Sequence, residues 1–185
     1  MASPLLSETE SNMKKTVEVV NKDFGSLRAG RATPSLLEKI AVNYYGTPTP
    51  INQMANISAP EARLLVIQPW DKTAMPDIEK AIMKSDLGIT PMSDGNIIRL
   101  AIPQLTKERR AELVKVIKKK AEEGRVAVRN LRRDANDNLK TQQKNGDMSE
   151  DEQRRLQDEV QKLTDKYIKE IDELLAAKEK EIMTV

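Results

Sequence analysis

The sequence predicts an α+β protein in which an elongated three-helix bundle is interrupted by a small inserted β/α/β domain. Three observations support this. Apolar residues recur every three or four positions near both ends of the chain, the spacing of one helix face. Eight of the nine prolines lie between Pro34 and Pro103, where short aliphatic runs alternate with turn residues. Beyond Pro103 the 185-residue chain has no proline, so nothing there forbids long helices.

Met13, Val17, Val20, Phe24 and Leu27 step by four, three, four and three, a heptad seam on a first helix over roughly residues 6–28. Ile40 to Tyr45, Arg63 to Gln68 and Asn96 to Ile102 are β-branched or aliphatic, are bounded by turn residues, and are expected to be strands. Pro91-Met-Ser-Asp-Gly95 is a hairpin turn. Met75 to Leu87, closed by Gly88, reads as a helix with Ile78, Ile82 and Met83 inward. A second long helix starts near Thr106 as N-cap and carries Leu113, Ile117, Ala121, Val128, Leu131, Ala135 and Leu139 on one line until Asn145-Gly146. Ser149 with Glu152 forms a capping box for a third helix running to about Ile182, its seam Leu156, Val160, Leu163, Tyr167, Ile171 and Leu174.

Three seams imply a bundle of residues 1–29 with 106–185, and residues 30–105 form the inserted domain. Two short crossings join them, at Ala29, Gly30 and Arg31 and at Gln104, Leu105 and Thr106. Glycine in one and proline beside the other suit a hinge, with a rigid elbow as the alternative.

The net charge is only +2, yet residues 106–134 carry +6 and residues 135–185 carry −4. Within the basic stretch Arg125, Arg129 and Arg132 fall within about 60° of one another on a helix, beside the Val128, Leu131 and Ala135 face. A planar guanidinium with five donors suits phosphate, and a local basic field points to a polyanionic partner. Residues 103–146 hold no aromatic side chain, so single-stranded bases would find nothing to stack on. The face is suited instead to gripping the backbone of folded RNA or duplex. The acidic C-terminal part is the counter-explanation, because it would neutralise the basic helix by packing beside it.

The chain contains no His and no Cys, which removes the usual nucleophile–base pairs, thiol chemistry and nearly all zinc sites. No glycine-rich phosphate loop is present, and no enzyme activity, cofactor or metal is expected. The longest aliphatic run is Leu64-Leu65-Val66-Ile67, too short for a membrane span, and the first residues lack the apolar segment of a signal peptide. A cytoplasmic protein that does not engage membranes is expected. A helical scaffold binding protein partners without RNA is the alternative from another class.

The runs Arg28-Ala-Gly-Arg31-Ala-Thr-Pro-Ser-Leu-Leu, Tyr44-Tyr-Gly-Thr-Pro-Thr-Pro50, Glu79 to Gly88, Arg125 to Asp137 and Val160-Gln-Lys-Leu-Thr-Asp165 strongly resemble the ribosome recycling factor family over essentially the whole chain. The resemblance implies an L-shaped, monomeric factor that works on the post-termination ribosome with elongation factor G and GTP. It further implies that Arg110, Arg129 and Arg132 contact ribosomal RNA of the large subunit, with Arg125 and Arg133 beside them. The inserted domain would reach toward the small subunit, and Gly30 and Arg31 would belong to the hinge.

Overall fold

A computed structural model describes residues 3–27 and 31–184. Contacts divide the chain into two compact units, Met1–Arg28 with Lys107–Thr184 and Ala29–Thr106.

The first unit packs α1 (Pro4–Ser26), α3 (Lys107–Lys144) and α4 (Glu150–Thr184) pairwise against one another. Proline at the first turn suits the start of α1, where its missing N–H would have no helical partner. Its core stripe is Met13, Val20 and Phe24, with Val17 and Leu27 only half-buried. The 38 residues of α3 span about 57 Å. At its end Gly146 adopts φ +81°, its N–H reaches the Gln143 carbonyl, and the Asp147 N–H reaches Gln142. This is the glycine-terminated double bond pattern that satisfies a helix's last carbonyls. Ser149 Oγ then accepts from the Glu152 N–H at 3.1 Å and starts α4.

The α4 seam differs from expectation. Leu163 and Leu174 are half-buried, whereas Thr164 and Lys178 are buried. A helix wedged between two partners buries the line that bisects them, which here passes through Thr164 and Lys178 and leaves both leucines at its edge. The buried polar groups are satisfied: the Thr164 hydroxyl donates to the Val160 carbonyl at 2.8 Å. Lys178 Nζ donates to the Leu27 carbonyl at 3.2 Å, just past the end of α1, and pairs with Glu181. Tyr167 is also buried, and its hydroxyl has no hydrogen-bond partner of good geometry among the described residues. Gly124 lies where all three helices meet. A Cβ there would stand 2.6 Å from Val20 Cγ2 and 3.3 Å from Ile171 Cδ1, so only glycine fits without a shift.

Among its described residues the second unit contains two antiparallel sheets. β1 (Ala41–Tyr44) and β2 (Thr47–Pro50) form a hairpin. β3 (Ala55–Glu61), β4 (Leu64–Pro69), β5 (Met92–Asp94) and β6 (Ile97–Ala101) form the second sheet, in the order β3-β4-β6-β5. Leu65 and Ile67 on β4 pair with Leu100 and Ile98 on β6, and α2 (Met75–Lys84) brings Ile78 and Ile82 to the same core. Strands β2, β3 and β5 were not expected. β2 reads Thr-Pro-Thr-Pro and pairs only with β1, which leaves its prolines harmless. α2 stops at Lys84 rather than Leu87, and Met83 faces solvent rather than the core. The Tyr44 hydroxyl donates to Asp71, which also accepts from the Thr73 N–H and hydroxyl. The Thr73 hydroxyl is the main reason the Asp71 carboxyl lies below its ordinary pKa.

Candidate nucleic-acid interface on α3

The arginine face depends on how α3 is anchored. Leu113, Ile117, Ala121, Gly124, Val128, Ala135 and Leu139 are buried along one line. With that line turned inward, Arg125, Arg129 and Arg132 lie along its flank next to α4, and Arg133 is rotated further into solvent.

Each arginine has a different environment. Arg125 is well enclosed, its side chain only 19% exposed. Its Nε donates to Asp172 Oδ1 at 2.7 Å, and another guanidinium nitrogen donates to Glu122 at 3.0 Å. Burial alone would lower its pKa, but the Asp172 and Glu122 contacts outweigh it and raise it. Arg129 is 39% exposed and shares Glu122 at 3.2 Å. These two guanidinium groups, Arg125 foremost, hold the Glu122 carboxyl below its usual pKa. Arg132 is half-buried, and its contact is a long hydrogen bond of 3.4 Å to Gln161 Oε1. Arg133 is exposed, and among the described residues it pairs with neither Asp134 nor Asp137.

Arg110 stands apart, about 22 Å along the helix axis from Arg125. It donates to the Met183 carbonyl at 3.3 Å, and its buried Nε has no hydrogen-bond partner among the described residues. The expected site is therefore split: Arg129, Arg132 and Arg133 form an accessible group, Arg125 is engaged between helices, and Arg110 sits at the end of α4.

Among the expected hinge residues, Ala29 and Gly30 lie outside the described residues. Arg31 is exposed, immediately before Ala32, whose N–H donates to the Ala62 carbonyl at 2.7 Å. Gln104, Leu105 and Thr106 form an irregular segment that follows Ile102, whose N–H donates to Arg63 at 2.8 Å. Both connecting segments are thus tied to the same Ala62–Arg63 turn.

The sequence suggested that the acidic C-terminal part would pack beside the basic helix, but sequence reasoning did not identify which carboxylates meet which cations. Lys118 meets Glu179 at 3.9 Å and Arg125 meets Asp172 at 2.7 Å. Positions 118, 125 and 132 step by seven on α3, and 179, 172 and 165 step by seven in the opposite sense on α4. That shared period was the available signal for an antiparallel ladder. On the opposite flank Lys120 pairs with Asp23 of α1 at 3.7 Å. Among the described residues no cluster of acidic side chains could hold a metal ion, and no helix is long and apolar enough to cross a membrane.

The profile of the family described as "Ribosome recycling factor" matches residues 20–183. A protein named ribosome-recycling factor from Pelotomaculum thermopropionicum is 77% identical over 185 residues, covering all of both chains. A solution structure of the ribosome recycling factor, 47% identical, aligns over all of both chains with a TM-score of 0.73. A structure of the T. thermophilus ribosome recycling factor and E. coli elongation factor G on the E. coli post-termination complex aligns over 96% of each chain. Its identity is 48% and its TM-score 0.61.

Proposed function

The chain belongs to the ribosome recycling factor family, and we propose that it enters the post-termination ribosome as a monomer and, with elongation factor G and GTP, drives the subunits apart. Similarity over 96% of the chain to a relative that is seen with elongation factor G on the post-termination complex carries this reading. The factor performs no chemistry of its own; GTP hydrolysis on the partner supplies the work.

In the proposed division of labour, the bundle (residues 1–29 and 106–185) binds large-subunit RNA and the inserted domain (residues 30–105) reaches toward the small subunit. The crossings at Ala29–Arg31 and Gln104–Thr106 act as the hinge between them. Arg129, Arg132 and Arg133 are the phosphate-gripping members of the arginine face, because none is held by an interhelix carboxylate. Arg110 lies on the same helix toward its N-terminus. The setting is cytoplasmic.

The test is light scattering from bacterial post-termination ribosomes. Scattering should fall only when the protein, elongation factor G and GTP are all present, and no fall with a matched elongation factor G overturns the reading. Arg132→Ala should weaken binding to large subunits and reduce the slope of log affinity against log salt by about one phosphate contact. An unchanged slope counts against a direct phosphate contact.

A further inference from the structure

The interhelix ladder has two closed rungs and one open one. Lys118–Glu179 and Arg125–Asp172 are ion pairs across α3 and α4. Continuing the register by seven sets Arg132 opposite Asp165. Those two charges do not pair. Gln161 stands between them: its Oε1 accepts from Arg132 at 3.4 Å, and its Nε2 donates to Asp165 Oδ1 at 2.9 Å. A primary amide can receive a hydrogen bond at one end and give one at the other, and it carries no charge. The guanidinium is therefore oriented without being neutralised.

We propose that Gln161 is a positioning residue that keeps Arg132 out of an ion pair with Asp165 and directs its guanidinium to a phosphate of the partner RNA. The proposal rests on the reading of α3 as an RNA-binding face. The contrast with Arg125 supports it. The same residue type one rung away meets a carboxylate directly, is mostly enclosed, and spends its donors inside the bundle. The ladder thus sorts two arginines seven residues apart into one that holds the bundle together and one that stays available. It also gives a role to Gln161 and Asp165, which lie within the Val160–Asp165 block of the sequence.

A four-variant cycle on the full chain tests this, with purified bacterial large ribosomal subunits as the probe and affinity measured across a salt series. Gln161→Ala leaves the net charge unchanged but lets Arg132 close on Asp165. It should weaken binding three- to tenfold and lower the salt slope by about one, as Arg132→Ala does. Asp165→Asn alone should leave affinity within twofold of wild type, because the amide already insulates that carboxylate. Gln161→Ala with Asp165→Asn should recover affinity to within twofold and restore the slope, a rescue that a merely structural role would not produce. If Arg132→Ala weakens binding and Gln161→Ala does not, or the double variant fails to recover, the positioning role is wrong. If Arg132→Ala itself binds as wild type, the RNA-face reading falls and this inference falls with it.

Discussion

Replacing Gly124 by alanine sets two opposed effects against each other at one atom. The substitution removes glycine from the middle of α3, a change that by intrinsic propensity favours the helix by about 1 kcal/mol. The new Cβ would lie 2.6 Å from Val20 Cγ2, about 1 Å inside normal carbon–carbon contact. Its 3.3 Å approach to Ile171 Cδ1 is mild, since that methyl ends a flexible side chain. Valine offers no such relief. In a helix it is held almost entirely in one χ1 rotamer, so α1 must back away or Val20 must leave its rotamer, at about 2 kcal/mol for overpacking of this kind. The net expectation is a loss of about 1 kcal/mol, or about 4 °C in midpoint for a unit of this size. Denaturation followed by helical circular dichroism reports mainly on the bundle, which holds three of the four α-helices among the described residues. A Gly124→Ala variant more stable than wild type refutes the argument. So does strict additivity with Val20→Ala, because the double variant, with room for the new methyl, should recover the overpacking cost of about 2 kcal/mol over the sum of the singles.

Three further outcomes follow from single groups. The Tyr167 hydroxyl is pushed up to about 12 by burial and by Glu10. Its neutral form is favoured in the folded bundle, so that contribution to stability is fully present below the ordinary tyrosine value near 10 and is lost as pH rises toward 12. Tyr167→Phe should remove this alkaline dependence and leave neutral-pH stability equal or higher, since the hydroxyl is buried without a well-formed partner; a large loss in urea titration at pH 7 would show that it has one. Lys178→Met should keep the bundle within about 1 kcal/mol of wild type by sparing the desolvation of an ammonium, whereas Lys178→Ala should lose about 2 kcal/mol through its buried stem. A Lys178→Met variant that loses as much as Lys178→Ala in thermal melts would mean that the bond to Leu27 dominates.

The helices were legible because they follow one rule repeated many times. Seams of period 3.5, the Asn145-Gly146 break and the Ser149 cap each state a local requirement in neighbouring residues. The strands were legible only where they are buried. β4 and β6 carry aliphatic residues because both face a core, whereas β2 and β3 are edge strands exposed along half or more of their length, and although each pairs with a sequence neighbour their prolines and polar residues announce turns instead. The candidate site divides along the same line. That α3 presents arginines could be read from spacing alone. Which arginines remain free could not, because Asp172 engages Arg125 and Gln161 engages Arg132 from another helix. That distinction needs the α3–α4 register, and the register is visible only once two seven-residue periods are laid antiparallel.

The position of α1 also bears on how the molecule comes into being. Its stripe of Met13, Val20 and Phe24 packs on α3 and α4, and its end is held by Lys178, 151 residues later. The second unit draws its core from residues 32–100 and can condense as soon as they have been synthesised. α1, made first, must wait with its apolar face uncovered until α3 and α4 follow. During that interval the +6 stretch of residues 106–134 is complete while Asp172 and Glu179 do not yet exist. A nascent chain at this stage is at its most indiscriminately basic, beside the ribosomal RNA of the particle that is making it. Synthesis of α4 ends that stage by supplying the carboxylates that close two rungs of the ladder.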